Sequence, residues 1–498
     1  MDENILIMLL VLSTAFLASA NFPACSGTVT FNSSQNQTTK PTWYPTTFTD
    51  SPPSFPINYV CEYQINVPQG MYAQVTLTVI THSSDGHAPV TVVDQMGRSE
   101  KIVNSSNENF YFISSGGKIN LSTNSANVQF GFYVIWSDYT RSSPIQLNVS
   151  QTDSQPNLLK MDTFHPIQVK ADTRATATVM SLSIYYSYAE FLRGIVLFDG
   201  PDWNSTCLGT ARQLLDGKTQ YVSTGNTMTI LFIGYEYRID VFRFLLQDYE
   251  LTKGIVQFQS RNSLGYSTSA GETFILDATN GPSALQTYVD EGIATDLVTQ
   301  MQGSGVLDVY IGTRTENKTN LIASYPVETY NHQYLAQNFL GQFKSYILRN
   351  GIANLTINRN FFVIETANDF GRKGFISSGQ YGTNSSYQNS YSEIRSPNRT
   401  SIAKFRFTIQ KADLVKAVSL QITGTKGTST VFRKNYTHSH MPTLNLFDEF
   451  YGDTLKVSYG GSQKNTGFLM DFEVDKSSSS MGIAIGVALA SLTLLWTV

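Results

Sequence analysis

The side chains that could do chemistry are few and widely separated. His438 and His440 lie two residues apart in Tyr436-Thr437-His438-Ser439-His440. On a strand they would share a face and could coordinate a metal; two solvent-facing histidines in a loop is the simpler reading. Asp448 and Glu449 are adjacent, so a strand points them to opposite faces, which makes a poor acid/base pair. Cys207 as a nucleophile would need a histidine beside it, and Asn204 would place a glycan three residues away. The chain has no His-Glu-x-x-His, no Gly-x-Ser-x-Gly and no Gly-x-x-x-x-Gly-Lys-Ser/Thr motif, which removes zincins, serine-elbow hydrolases and P-loop enzymes at motif level. The expectation is a chain without catalysis, cofactor or metal. Two tyrosine clusters, Tyr185-Tyr186-Ser187-Tyr188 and Tyr381 to Tyr391, could form a sugar- or protein-binding face, or pack in a core.

What must position these residues is an extracellular chain. Residues 1–20 carry an apolar run, Ile5 to Leu17, too short for the roughly 20 residues a membrane helix needs, followed by the small-x-small site Ala18-Ser19-Ala20. This reads as a signal peptide, with Asp2 and Glu3 in place of the usual basic start. From Met481 to Val498 the chain is uncharged, and four serines, Ser477 to Ser480, precede that tail. Small residues before an apolar tail describe a glycolipid (GPI) attachment signal over 477–498, with Ser477, Ser478 or Ser479 as the attachment residue. A retained C-terminal membrane helix is the alternative. N-glycosylation acceptors occur at Asn32, Asn36, Asn104, Asn120, Asn148, Asn204, Asn317, Asn354, Asn384, Asn398 and Asn435, spread along the chain as export would have it. Of three cysteines, Cys25 and Cys61 suggest a disulfide in an oxidising compartment. Cys207 is then a buried thiol or an interchain partner.

Charged residues are only 14 % and the formal net charge is −4. No basic block appears, so no nucleic-acid partner is expected. Ser, Thr, Asn and Gln supply the polar surface, material for strands more than for exposed helices. Apolar and polar residues alternate through Gln74–Ile80, Asn127–Val134 and Leu455–Tyr459, broken by turn clusters such as Ser83–Gly86, Ser114–Gly117 and Tyr459–Ser462. That pattern predicts an all-β chain of tandem β-sandwiches. One stretch, Ala284 to Met301, has Leu285, Val289, Ile293, Leu297 and Met301 every four residues and reads as a core-facing helix or an ambiguous insert, weakened by Gly292. An aromatic strand recurs at Val128–Val134, Ile239–Leu246 and Thr466–Val474. Its spacing sets units at 21–150, 155–260, 270–368 and 369–475, with Arg261–Gly271 and Ser377–Ser392 as loops or linkers.

Several segments resemble the CUB fold. Tyr59–Gly70 is similar to the second-cysteine strand, Gly194–Gly200 to the strand ending in Asp-Gly, and Gly225–Phe232 and Gly452–Tyr459 to the penultimate strand. As a whole the chain resembles the nematode CUB-like proteins, secreted or GPI-linked and associated as a family with responses to pathogens. The resemblance covers 21–150 and 155–260 well, 369–475 weakly, and hardly extends to 270–368. It implies jelly-roll-like sandwiches and an extracellular binding protein acting in defence at the plasma membrane, with a protein or carbohydrate ligand. Many CUB domains bind Ca²⁺ through a Glu and two Asp. Here Arg193 and Gly234 fall where the two Asp of the second unit would stand. Asp199 is left to cap a turn, and the first unit offers only Asp85 and Asp94. Two other readings are a glycan-acting enzyme hidden in 270–368, which would need two carboxylates about 5–10 Å apart in a cleft, and a structural surface-coat protein.

Overall fold

The computed structural model describes residues 25, 27–33, 40–48, 51–81, 87–124, 128–139, 142–161, 165–181, 186–234, 242–263, 271–290, 292–327, 331–359, 364–366, 369–386, 388–397 and 402–477. These form four β-sandwiches. The first holds β1 (Thr28–Phe31), β2 (Thr42–Tyr44), β3 (Ser54–Phe55), β4 (Val60–Asn66), β5 (Met71–Ile80), β6 (Val90–Val93), β7 (Ser99–Ile102), β8 (Ser106–Ile113), β9 (Gly116–Ser122) and β10 (Val128–Asp138). The second holds β11 (Ile145–Val149), β12 (Asn157–Lys160), β13 (Ile167–Ala171), β14 (Ala175–Ser181), β15 (Ile195–Asp199), β16 (Thr206–Thr210), β17 (Tyr221–Val222), β18 (Thr227–Phe232) and β19 (Phe242–Asp248). β20 (Gln257–Asn262), β21 (Glu272–Ala278), β22 (Ser283–Tyr288), β23 (Ala294–Gly303), β24 (Val306–Ile311), β25 (Leu321–Pro326), β26 (Gln337–Gly341), β27 (Phe343–Leu348) and β28 (Gly351–Arg359) build the third. The fourth contains β29 (Ile364–Thr366), β30 (Arg372–Ser377), β31 (Ser390–Arg395), β32 (Ala403–Ala412), β33 (Val418–Lys426), β34 (Ser429–Thr437), β35 (Phe447–Gly452), β36 (Thr454–Gly461) and β37 (Phe468–Lys476).

The four share one topology. In the second, the sheets run β11-β13-β18-β15-β16 and β12-β19-β14-β17, and the third and fourth repeat that order. The first matches once its extra strand β3 is set aside. In each sandwich the leading strand pairs in parallel with a later one: β1 with β4, β11 with β13, β20 with β22 and β29 with β31. This leading strand moves the boundaries. The expected spans leave β11, β20 and β29 at the end of the preceding unit, whereas their pairing puts each at the start of the next. By contacts the chain divides into two units, one of Met1–Ser143 with Glu190–Val196 and Leu231–Glu236, the other of the remainder.

Alternation builds the cores. Along β5, Ala73, Val75, Leu77 and Val79 are fully buried while Gln74, Thr76 and Thr78 turn outward. In the first sandwich they meet an aromatic cluster, with Tyr63 stacked on Phe130 at 5.3 Å and Tyr44 on Phe132 at 5.4 Å between ring centroids. Replacing Phe130 by Ala would cost about 3–5 kcal/mol by cavity formation. The Cys25–Cys61 disulfide ties the start of the chain to β4, with a Cα separation of 5.6 Å.

Ala284–Met301 is not a helix. It is the strands β22 and β23, separated by a turn in which Gly292 takes φ +76°. Four is a multiple of the strand period as well as close to the helix period, so the spacing fitted both. β23 buries Ala294, Asp296 and Val298 and turns Leu297 to the half-buried side. Among the described residues the α-helices lie in the second sandwich and were not expected. α1 (Ala211–Gly217) starts at a capping box, Thr210 Oγ1 accepting from Gln213 N at 3.3 Å and Gln213 Oε1 accepting from Thr210 N at 3.0 Å, a Thr-x-x-Gln signature.

Two polar networks are buried within the fold. In the third sandwich the Lys344 ammonium and the Asp296 carboxylate, both without solvent exposure, face each other from opposite sheets at 3.3 Å. Thr287 and Tyr346 hydroxyls donate to Asp296 Oδ2 at 2.6 and 3.0 Å. Lys344 also donates to Ala294 O and Gly341 O at 3.1 Å and to Ser263 Oγ at 3.3 Å. Burial holds Lys344 below the usual lysine range, with Asp296 pulling it the other way. In the fourth, Gln388 Nε2 donates to Gln380 O at 2.7 Å, Thr383 O at 2.8 Å and Asn465 O at 3.0 Å. Ser377–Ser392 is therefore an internal loop fastened onto the fourth sandwich, and not an interdomain linker.

Candidate functional site

A cavity of about 650 Å³ lies on the outward face of the sheet β30-β37-β32-β35, with Tyr334 from the third sandwich among its lining residues. Strand register arranges this face in rows. Phe375, Asp471, Thr408 and Phe447 pair across the four strands in one row. Lys373, Glu473, Arg406 and Glu449 form the next, alternating in charge. Asp475, Lys404 and Tyr451 form a third. These residues share a face because they sit at every second position of their strands.

The charged row is stitched by ion pairs: Lys373–Glu473 at 3.3 Å, Arg406–Glu473 at 3.6 Å, Arg406–Asp475 at 2.5 Å and Lys404–Glu449 at 2.7 Å. Gln410 Nε2 donates to Asp471 Oδ2 at 3.0 Å. At the edge strand β35, Phe447 and Tyr451 are 61 % and 46 % exposed, although large apolar rings normally seek cover. At the other end Phe375 is half-buried beside Tyr325, 6.4 Å between ring centroids. No Asn-x-Ser/Thr acceptor falls on these four strands. Sequence reasoning missed this face because its residues come from four strands spread over more than 100 positions; the signal was the alternation itself.

The residues singled out in the sequence do not converge. His438 Nδ1 lies 3.1 Å from Leu414 O, and His440 Nδ1 lies 2.9 Å from Ser439 Oγ in a turn. Asp448 pairs with Lys434 at 2.6 Å and Glu449 with Lys404 at 2.7 Å, on opposite faces of β35. Cys207 is half-buried on the edge strand β16. Of the cluster from Tyr381 to Tyr391, Tyr381 is 2 % exposed and belongs to the core, whereas Tyr391 is exposed and donates to Glu393 at 2.9 Å; Tyr387 lies outside the described residues. Of the other cluster, the side chains of Tyr185, Tyr186 and Ser187 lie outside the described residues. In the third sandwich Glu272, Asp290, Asp296 and Asp308 are each held by a cation, respectively Arg261, Arg243, Lys344 and Arg349.

Where two calcium-binding acids were sought, the chain has built something else. Arg193 is 7 % exposed. Its guanidinium meets Glu108 at 2.7 Å, donates through Nε to Glu100 at 3.0 Å and through Nη2 to the same carboxylate, and lies 4.1 Å from the Phe110 ring centroid. Burial opposes the charge, but the two carboxylates raise the Arg193 pKa above its ordinary value. A Cβ at Gly234 would fall 2.2 Å from the Tyr111 hydroxyl oxygen. Asp199 accepts from Thr224 N, 25 residues on, at 2.7 Å, and Asp94 accepts from the backbone of Met96 and Arg98 at 2.9 Å within its own turn; Asp85 lies outside the described residues. Among the described residues no group of three His, Cys, Asp or Glu could hold a metal.

Of the glycosylation acceptors, Asn32, Asn104, Asn148, Asn204, Asn317, Asn354, Asn384 and Asn435 are exposed and Asn120 is half-buried. Asn36 and Asn398 lie outside the described residues, as do the leader 1–20, Ser478, Ser479 and the apolar tail. Among the described residues no helix is long and apolar enough to cross a membrane.

Residues 20–140 match the model of the CUB-like domain family. Residues 148–233 and 250–360 match two domains of unknown function, DUF7592 and DUF7591. No curated protein matches the chain. Among solved structures, the CUB1-EGF-CUB2 domain of human MASP-1/3 is 9 % identical, covering 41 % of this chain and all of its own (100 %), with a TM-score of 0.17. The same domains of rat MASP-1 are 10 % identical, covering 44 % of this chain and 100 % of theirs, at 0.15. The full extracellular region of zebrafish Gpr126/Adgrg6 is 9 % identical over 68 % of this chain and 52 % of its own, at 0.19. At such scores these likenesses add nothing about function.

Proposed function

We propose that this chain is a non-enzymatic glycoprotein held on the outer face of the plasma membrane, where it binds an extracellular protein or carbohydrate in defence against microbes. The observation that carries the reading is a CUB-like domain at residues 20–140 closed by a disulfide between Cys25 and Cys61, chemistry of an oxidising, exported compartment. Support comes from the exposed position of eight acceptor asparagines and from the export-and-anchor pattern of the two termini. The glycolipid signal, with Ser477, Ser478 or Ser479 as attachment residue, is part of this reading, as are the four sandwiches as display modules. In the third sandwich Glu272, Asp290, Asp296 and Asp308 are held in ion pairs, which favours binding over hydrolysis by these acids.

Intact expressing cells treated with phosphatidylinositol-specific phospholipase C should release the protein into the medium, and peptide-N-glycosidase should lower its apparent mass. The released protein should then sediment with bacterial or fungal cells. Retention after lipase with extraction by detergent would replace the lipid anchor by a membrane helix. An intact, unglycosylated chain in the cytosol would end the reading.

A further inference from the structure

We infer that the outward face of the fourth sandwich is a binding site for a neutral oligosaccharide chain, which rests on the reading above and names its ligand. Three features select that chemistry. The cavity is lined by three cations, Lys373, Lys404 and Arg406, and three carboxylates, Glu449, Asp471 and Glu473. The charges cancel in number: the three cations are paired to Glu473 or Glu449, and Asp471 accepts from Gln410. A nucleic acid would need uncompensated positive charge, and an anionic or cationic ligand would have to break these pairs. What the paired groups offer instead is a fixed array of hydrogen-bond donors and acceptors, which suits hydroxyl groups.

The second feature is the row Phe375–Asp471–Thr408–Phe447, an aromatic ring at either end and two hydrogen-bonding side chains between. Three strand spacings of about 4.8 Å separate its ends by roughly 14 Å. Sugar rings present C–H faces, which pack on the electron-rich face of an aromatic ring, and hydroxyl edges, which would meet Asp471 and Thr408. A lipid would take Asp471 and Thr408 out of water and offer them no hydrogen bonds in return, and an extended peptide would pair with a strand edge and not with a face. Third, Phe447 and Tyr451 stand 61 % and 46 % exposed on the one broad face of this sandwich where no glycan acceptor lies, so a long ligand can reach them.

The test uses the lipase-released or secreted protein. Titration calorimetry is run against cellohexaose, laminarihexaose, mannohexaose, maltohexaose and chitohexaose, with a heparin hexasaccharide as charged comparator. At least one neutral hexasaccharide should bind, and more tightly than the heparin fragment. Phe447→Ala and Asp471→Asn should each weaken that binding at least tenfold. Val431→Ala, at an exposed site on the other sheet, should leave it unchanged. Tyr451→Ala provides a second exposed variant should Phe447→Ala lower the thermal stability. The inference is overturned if no neutral saccharide binds, if heparin binds best, if Phe447→Ala and Asp471→Asn leave the affinity intact, or if the face captures a protein instead. Microbial binding that survives Phe447→Ala would sink this site while leaving the broader function standing.

Discussion

Lys344→Met should destabilise the third sandwich more than Asp296→Asn, although each removes one half of the same pair. Both side chains are fully buried. Methionine matches the lysine stem in length and adds no cavity, so the cost is electrostatic. It leaves the Asp296 carboxylate in the interior with two hydroxyl donors and with Oδ1, which has no hydrogen bond among the described residues, deprived of its counter-charge. Stranding a buried charge in this way costs about 3–5 kcal/mol. The reverse change strands less. Lys344 keeps Ala294 O, Gly341 O and Ser263 Oγ as acceptors, and the amide oxygen introduced by Asp296→Asn can still accept from Thr287 and Tyr346. A cost of about 2 kcal/mol is expected there, near the value for a hydrogen bond to a charged group. Hydrogen exchange read by mass spectrometry on peptides from β22, β23 and β27 isolates this sandwich from its neighbours. At about 1.36 kcal/mol per tenfold, Lys344→Met should speed exchange of the most protected amides by roughly two to four powers of ten, and Asp296→Asn by between one and two. Equal effects, or a Lys344→Met protein exchanging within fivefold of the parent, would refute the reasoning.

Loss of the Cys25–Cys61 bridge, which spans 36 residues, should cost the first sandwich about 4 kcal/mol in the chain-entropy model, seen as a lower urea midpoint for Cys25→Ser/Cys61→Ser. Arg193→Ala should cost about 2 kcal/mol, less than a fully buried pair because Glu100 and Glu108 are about a third exposed. EDTA should leave the melting temperature unmoved; a fall on chelation would mean that calcium is bound. Burial pushes the Glu393 carboxyl up, but Arg395, the Tyr391 hydroxyl and Lys456 outweigh it and hold it below the usual 4.5. Its folded value thus lies beneath its unfolded one, so its stabilisation is complete above 4.5 and fades as pH falls through the folded value. Glu393→Gln should flatten the stability curve in that acid window, and an unchanged slope would count against it.

Much of the architecture could be read from residues alone. Alternation in Gln74–Ile80 gave β5 its buried face, and the Phe-rich runs marked β10, β19 and β37, the last strand of their sandwiches. The third repeat was hidden because its last strand, β28, fills the same place with Ala353, Leu355 and Ile357 and no phenylalanine. The leading strands were misallotted because parallel pairing across a long connection leaves no local mark, unlike a hairpin turn. The pairing of Asp296 with Lys344 leaves no mark in the sequence, since nothing there shows that two distant charges meet inside a core. The candidate site was illegible for the same reason: each strand shows only that a face is polar, and register alone reveals that aromatics flank it.

β37 runs from Asp471, in the aromatic row, to its end at Lys476. Five residues of strand carry the backbone roughly 17 Å away from that row. A tether attached beyond Lys476 therefore pulls on the far rim of the fourth sandwich and leaves Phe447 at the opposite lip. For a sensor chip, coupling through the carboxyl-terminal side is the orientation that keeps the groove open to a polymer approaching from solution, whereas cross-linking through Lys373 or Lys404 would blind it.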